Sequence, residues 1–181
     1  GIHLTLDIVP DIAIFAKAMG NGYPISAIIG KRDIMDVAQD TFISSTMWTE
    51  RLGFVAALET LDKMKKINLQ KTLVDYGLKI KVGWQNIADQ TGVNINIAGL
   101  DSIPYFSFNY KNAVELLTFF NQEMLKKGFL TNAGTATSFA YNDYIIDKYL
   151  SNVAEVFALI KKMNFKIKDF LEGQVKQSTF S

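Results

Sequence analysis

The chain has 181 residues, of which 49% are apolar and 20% charged, and its formal net charge is +1. This length allows one ordinary domain or one and a half, and the near-neutral charge gives no electrostatic case for nucleic acid or an anionic membrane as a partner. The lack of cysteine excludes disulfides and thiolate sites, and the only histidine, His3, lies beside the N-terminus, which weakens hypotheses that need a Ser-His-Asp triad or a histidine-bound metal.

The first fifty residues alternate short apolar runs with turn residues. Residues 11–15 (DIAIF) and 25–29 (ISAII) are predicted to form buried strands. Residues 16–23 (AKAMGNGY) between them are predicted to form a turn, because their glycines can take positive φ. Apolar residues recur at helical spacing over residues 31–39. This order of strand, turn, strand and helix is typical of a layered α/β domain.

From residue 50 onward the pattern changes to long amphipathic helices with a few strands. Apolar residues spaced three and four apart predict helices over residues 50–67, 69–87, 113–124 and 146–160. Strict alternation predicts strands over residues 93–98 and 104–110, which could pair, and short strands over residues 129–131 and 137–141. This part is therefore predicted to be a small α+β unit, with a boundary near residues 62–68 and a loose polar tail from Gln174.

Lys17 is the residue most informative about chemistry. It follows an apolar strand and precedes a glycine-rich turn, so it would lie at a sheet edge, where α/β proteins commonly place ligands. A desolvated lysine amine is more often neutral and can then form a Schiff base. Spacing alone favours the plainer alternative of a solvated lysine at a strand end.

Ser45 and Thr46 are the second candidate site. Hydroxyl groups shortly before a helix can bind a phosphate together with free backbone N–H groups. The alternative is a turn or a helix N-cap, which serine and threonine commonly form. The spacing alone favours this structural role.

Taken together, residues 10–27 (PDIAIFAKAMGNGYPISA) resemble the Schiff-base lysine segment of the class III aminotransferases, which are fold type I enzymes dependent on pyridoxal 5′-phosphate (PLP). In that family the segment runs Pro-Asp, apolar strand, Lys, glycine-rich turn, Pro and a second strand. Residues 52–61 (LGFVAALETL) resemble the alanine-rich helix that follows, and residues 69–165 are compatible with the small C-terminal domain.

The resemblance implies a role for each candidate residue. Lys17 would be the catalytic, PLP-holding lysine, and Ser45 and Thr46 fall where the family contacts the PLP phosphate of the neighbouring subunit, which implies a homodimer. The fold would be α/β, with residues 1–65 as the end of the PLP-binding large domain and residues 66–181 as a small α+β domain.

The resemblance also shows a departure and an expected gap. Residues 48–51 (WTER) stand where many members have a Gly-Asn-Pro turn, and this resembles the branch related to glutamate-1-semialdehyde aminomutase. The family aspartate that pairs with the pyridine nitrogen lies upstream of the matched segment, as does the main phosphate loop, so neither Asp7 nor Asp11 is assigned that role. We therefore expect Gly1 to be an internal cut point or a truncated start.

The implied function is PLP-dependent transamination between a small-molecule amino donor and a keto or aldehyde acceptor, by way of a lysine Schiff base. One alternative is a glutamate-1-semialdehyde 2,1-aminomutase-type isomerisation. An alternative of another class is a non-catalytic fragment or interaction domain. Apolar runs fall far short of the roughly 18–20 residues of a membrane span, so no membrane partner is expected and a cytoplasmic location fits.

Overall fold

The change of pattern along the sequence is accompanied by a division of the chain into two units, Gly1–Asn68 and Leu69–Ser181. The structure is a computed structural model that describes residues 1–177, so the last four residues of the predicted tail lie outside the described residues. The domain boundary predicted at residues 65/66 falls slightly earlier than this division, within the last turn of a helix that ends at Lys66.

The first unit is built around two antiparallel strands, β1 (Ile12–Phe15) and β2 (Ala27–Gly30), whose register pairs Ile12 with Gly30 and Phe15 with Ala27. A 3₁₀ turn (Lys17–Gly20) follows β1. Two helices come after β2, the short α1 (Arg32–Met35) and the long α2 (Leu52–Lys66). The order of strand, turn, strand and helix is as predicted.

The helix expected over residues 31–39 forms, as α1 followed by a 3₁₀ helix (Asp36–Asp40), because the N–H and hydroxyl of Thr41 both bond to the Ala38 carbonyl and close the last turn at i→i+3 spacing. The expected burial of the two strands is wrong. The strands are not buried: Ile14 is 71% exposed, and Ala57 is the only fully buried apolar side chain of the unit. The unit has no further strand or helical layer that covers them.

The second unit places three long helices around a two-stranded sheet. Its helices are α3 (Leu69–Thr91), α4 (Ala113–Lys126) and α5 (Asp143–Lys162). Its strands, β3 (Ile95–Leu100) and β4 (Ile103–Phe108), pair antiparallel as predicted. Alternate residues of β4 point into the core, because successive side chains of a strand face opposite sides.

Aromatic rings form the centre of this core. The ring of Phe106 on β4 lies 5.0 Å from that of Trp84 on α3, 5.3 Å from that of Phe120 on α4 and 5.6 Å from that of Phe157 on α5, each in an edge-to-face arrangement. Each fully buried side chain of this size contributes roughly 1.5–3 kcal/mol. The predicted helices therefore meet on one shared aromatic cluster.

The short strands expected over residues 129–131 and 137–141 do not form. Instead, an irregular segment follows the free edge of β4 through backbone hydrogen bonds, from Phe106 N to Ala133 O (2.8 Å) and from Thr135 N to Pro104 O (3.0 Å). Ala133 has a φ of 53°, a left-handed conformation that interrupts an extended strand.

Hydrogen bonds connect the C-terminal tail to the second unit as far as Lys176. The backbone N–H of Lys176 donates to the Thr118 hydroxyl (3.0 Å), and its side-chain amine donates to Asn132 Oδ1 (2.8 Å). Within residues 1–177, no helix has the length and apolar character needed to cross a membrane.

Candidate active site

Lys17 occupies a strained position directly after β1. Ala16 is still extended, with φ −154° and ψ −155°, whereas Lys17 has a φ of 52° and starts the 3₁₀ turn. A residue with a side chain adopts this left-handed conformation at a cost of about 1–3 kcal/mol, and such residues concentrate at functional sites. This conformation could not be predicted from the sequence, which shows only that a glycine-rich turn follows Lys17.

Two glycines lock the turn that follows Lys17 against α2. A Cβ added at Gly20 would lie 2.8 Å from Ile25 Cγ2, and one added at Gly53, in the first turn of α2, would lie 3.0 Å from the Pro24 carbonyl oxygen. A side chain at either position would therefore force its neighbours to shift. The turn packs closely against the start of α2.

The two lysines that follow the strands differ in their partners. Lys31, directly after β2, donates to Asp11 Oδ1 (2.6 Å), and its N–H bonds to the Asp11 carbonyl (3.0 Å), which closes the open end of the strand pair. Lys17 is exposed, and its amine has no hydrogen-bond or ion-pair partner among residues 1–177. Lys31 therefore has a structural role at the strand ends. Lys17 is solvated within the described chain, as its plainer alternative expects, and its desolvation in a complete site stays a prediction.

Ser45 and Thr46 lie on an exposed loop between α1 and α2. The loop contains two turns, closed by hydrogen bonds from Trp48 N to Ser45 O (3.3 Å) and from Glu50 N to Met47 O (3.1 Å). The side chain of Glu50, not that of serine or threonine, accepts the Leu52 N–H at the start of α2 (2.9 Å). Of the two structural alternatives for Ser45 and Thr46, the helix cap does not form and the turn does. Both hydroxyls lack a partner in the described chain.

The structure does not join the three candidate residues within one chain. Among the described residues, no hydrogen bond connects Lys17 with Ser45 or Thr46, so their shared role in one site stays a prediction. Each residue offers a group that has no hydrogen-bond partner in the described chain, an amine on Lys17 and a hydroxyl on Ser45 and on Thr46. A primary amine can condense with an aldehyde, and hydroxyls can donate to a phosphate.

Other ligand chemistry has less support. Over residues 1–177, no group of three or more histidine, aspartate or glutamate side chains could hold a metal ion.

Sequence reasoning missed the Asp11–Lys31 pair and the Glu50 cap. An acidic residue two positions before a helix was the available sign of the cap, because carboxylates favour helix N-termini.

Comparison with known proteins agrees on one family. Residues 2–162 match the family model described as aminotransferase class-III. The chain is 32% identical over 114 residues to the 3-aminobutyryl-CoA aminotransferase of Cloacimonas acidaminovorans, an alignment that covers 62% of this chain and 28% of that protein. It is 28% identical over 121 residues to a glutamate-1-semialdehyde 2,1-aminomutase of Sulfurihydrogenibium sp., covering 65% of this chain and 28% of that protein.

A solved structure shows the same fold. The FumI protein of Sphingopyxis sp. MTA144, solved in its PLP internal aldimine form, matches with a TM-score of 0.81 and 23% identity over 96% of this chain and 41% of that one. The chain spans less than half the length of each of these relatives. It has the mixed helix-and-strand fold of the PLP-dependent transaminases, and its match over residues 2–162 shows that the chain belongs to the class III aminotransferase family.

Proposed function

We propose that these residues belong to a PLP-dependent aminotransferase that exchanges an amino group between a small-molecule donor and a keto or aldehyde acceptor. The observation that carries this proposal is Lys17: a strained residue with a free amine, on a closely packed turn, in a segment that resembles the cofactor lysine segment of the family. Family membership supports the same assignment.

Lys17 would have two tasks in this reaction. At rest the Lys17 amine would hold the cofactor covalently. After the substrate amine replaces it, the freed amine would move a proton between the substrate Cα and the cofactor carbon C4′, acting as base and then as acid. Bound PLP would supply the electron sink that makes this proton removable. The closely packed turn would keep the backbone of Lys17 in place during the transfer while its flexible side chain moves.

Ser45 and Thr46 would act across a homodimer. Their hydroxyls are exposed and unpaired in the described chain, and no hydrogen bond ties their loop to Lys17. We propose that they donate to the cofactor phosphate of a neighbouring copy, so each site would need two subunits. A cytoplasmic location is part of the same proposal.

The domain assignment is also a proposal. Residues 1–65 would form the end of the PLP-binding large domain, and residues 66–181 the small domain. Strands that expose apolar side chains on both faces are typical of sheets covered by helices on both sides. The pair β1–β2 has this character, because Ile28 and Ile29 are successive residues of β2 that face opposite sides and both are exposed. Further polypeptide of the same enzyme would cover these faces.

Isomerisation of the glutamate-1-semialdehyde aminomutase type is the alternative within the family. The matched relatives include both activities, and residues 48–51 (WTER) resemble the aminomutase-related branch. An aminomutase returns the amine to the same carbon skeleton, whereas an aminotransferase releases a keto or aldehyde co-product. Detection of that co-product would distinguish them.

A non-catalytic fragment is the second candidate function. It is favoured by one observation, that the first unit buries no large apolar side chain of its own. A titration of the chain with PLP, followed by absorbance, addresses this candidate. Tight, stoichiometric binding would contradict it.

The test of the aminotransferase proposal is chemical trapping. The protein is incubated with PLP, reduced with borohydride and digested, and the modified lysines are identified by mass spectrometry. We expect one main adduct, on Lys17, which is lost in Lys17→Ala and retained in Lys66→Ala, a control on the exposed side of α2. Modification spread evenly over surface lysines would contradict the proposal.

The titration with PLP also tests the loop that carries Ser45 and Thr46. Thr46→Val should weaken PLP binding, since one phosphate donor is lost, while Thr49→Val, in the same exposed loop, should leave it unchanged.

A further inference from the structure

The second unit contains a half-open cavity of about 130 Å³ between α3, α5 and the irregular segment after α4. Its floor consists of Ile80 and Ile146, both fully buried. Its walls are the rings of Phe129 and Tyr149, whose centroids lie 5.7 Å apart in an edge-to-face arrangement. Because an apolar cavity of about 150 Å³ accepts benzene, this space has room for about one six-membered ring.

One polar pair lies among these apolar groups. Thr135 Oγ1 and the Tyr141 hydroxyl are 2.8 Å apart, and both residues line the cavity. Two hydroxyls carry two protons, and their mutual hydrogen bond uses one. Thr135 Oγ1 can also donate to the Ala136 carbonyl oxygen, at a long distance of 3.4 Å. When Thr135 donates to Tyr141 instead, the Tyr141 proton is available to a ligand oxygen, and the lone pairs of the pair can accept a proton in return.

Two further hydroxyls line the cavity, those of Thr131 and Tyr149. The Tyr149 hydroxyl accepts a hydrogen bond from Trp84 Nε1 (3.2 Å) and is also hydrogen-bonded with Thr131, so both are tied to the core. The Thr135–Tyr141 pair has no such bond to the core among the described residues, and it is the pair that we assign to the ligand. Few polar groups in an apolar concave site are the usual arrangement of small-molecule pockets.

The cavity favours a neutral ligand. None of the described residues that line it carries a charge. A carboxylate or ammonium group would lose hydration there without gaining a partner of opposite charge. Burial also keeps the Tyr149 hydroxyl protonated, since it raises the pKa of that group to about 12.

We propose that this cavity binds a neutral molecule with a single ring and one hydroxyl or carbonyl group. The ring would lie against Phe129 and Tyr149, and its oxygen would bond to the Thr135–Tyr141 pair. Phenol and cyclohexanone are small representatives of this class. The proposal does not rest on the aminotransferase function, because all of these residues belong to the second unit whereas Lys17, Ser45 and Thr46 belong to the first.

The experiment is a titration of the protein with phenol, benzene and benzoate, followed through the methyl NMR signals of Ile80 and Ile146. We expect saturable shifts with phenol, and binding of benzoate at least tenfold weaker. The double variant Thr135→Val with Tyr141→Phe should weaken phenol about tenfold, to the affinity of benzene, and leave benzene unchanged. Tyr144→Phe removes a hydroxyl from the first turn of α5, outside the cavity, so it should change the binding of neither ligand.

A second pair of variants tests the location. Ile145→Trp and Leu130→Trp each place a large ring at the rim of the cavity, and each should abolish the shifts with all three ligands. Leu130 is 93% exposed, so its substitution leaves the core intact if Ile145→Trp fails to fold. Phenol binding that survives both substitutions, or benzoate binding as tight as that of phenol, would overturn the proposal.

Discussion

Tyr149 is the side chain whose ionisation the fold changes most clearly. Burial raises the pKa of its hydroxyl to about 12 from an ordinary value of 10, although hydrogen bonds with Trp84 and Thr131 oppose the change. The folded state therefore holds this proton more tightly than the unfolded state. This tighter proton binding adds to the free energy of unfolding. The contribution is complete below pH 10 and is lost as the pH rises toward 12, a decrease of about 3 kcal/mol in total.

Tyr149→Phe should therefore lower stability near neutral pH and reduce the further loss of stability between pH 10 and 12. Near neutral pH the variant should be less stable by about 1–3 kcal/mol, because the buried Trp84 N–H loses its acceptor. Between pH 10 and 12 it should lose less stability than the parent protein. Urea unfolding followed by Trp84 fluorescence, in a Trp48→Phe background, measures both effects.

Tyr144→Phe is the control for this pH dependence, because Tyr144 is 72% exposed. It should follow the parent protein at every pH. Parallel stability curves for Tyr149→Phe and the parent from neutral pH to pH 12 would show that Tyr149 is not the group responsible.

For single residues, the sequence predicted Lys17 as the candidate lysine but not the structural differences between Lys17 and Lys31. Lys17 and Lys31 both follow short apolar strands, and only the resemblance of residues 10–27 to a family segment separates them in the sequence. In the structure they differ in backbone conformation and in pairing, with Lys17 at φ 52° and unpaired and Lys31 bound to Asp11. Both differences depend on tertiary contacts, so they have no local sequence pattern.

Among the elements, the long helices were predictable and the strand environments were not. Helices α2 to α5 lie where apolar residues recur at spacings of three and four, because a single helix face is set locally. Residues 129–131 and 137–141 were expected to form short strands, yet the hydrogen bonds of this segment depend on the edge of β4, which is distant in sequence. Burial of β1 and β2 was wrongly expected for a similar reason, since it depends on neighbouring layers.

Helix α3 and the β3–β4 turn illustrate how closely elements approach each other. A Cβ added at Gly77 would lie 1.4 Å from the backbone oxygen of Asp101 in that turn. The turn is held there by Lys81, whose amine donates to the Gly99 carbonyl (2.7 Å) and to the Asp101 carboxylate (2.8 Å). The contact therefore involves backbone that has little freedom to move away.

Gly77→Ala should destabilise the second unit by about 2 kcal/mol or more. Overpacking against fixed backbone costs about 1–3 kcal/mol or more, which outweighs the gain of roughly 1 kcal/mol from replacing glycine with alanine in a helix. Gly83→Ala on the same helix is the control. Its Cβ would meet the end of the Leu150 side chain at 2.4 Å, and this flexible group can rotate away.

Urea unfolding of both variants gives the comparison. We expect a net change near zero for Gly83→Ala, because the helix gain offsets the adjustment of Leu150. Equal stability of the two variants would contradict the view that the Gly77 contact fixes the β3–β4 turn on α3.

For the whole molecule, the two units differ in how much apolar surface they bury. Trp84, Phe120 and Phe157 are fully buried in the second unit, whereas Ala57 is the only fully buried apolar side chain in the first. Burial of apolar surface is the main stabilising term of folding. Local opening should therefore be much easier in the first unit than in the second.

Amide hydrogen exchange can resolve this difference residue by residue. Backbone amides of β1 and β2 should exchange with little protection, while those in the middle of α3 and α5 should show the protection of global unfolding of the second unit. Phe157→Ala should lower protection of α3 and α5 by about 3–5 kcal/mol, the usual cost of emptying such a core position, without changing β1 and β2. Phe42→Ala, at a side chain that is 96% exposed, should leave α3 and α5 unchanged. If Phe157→Ala lowered protection equally in both units, the chain would unfold as one cooperative body, and the expected difference in local opening would be contradicted.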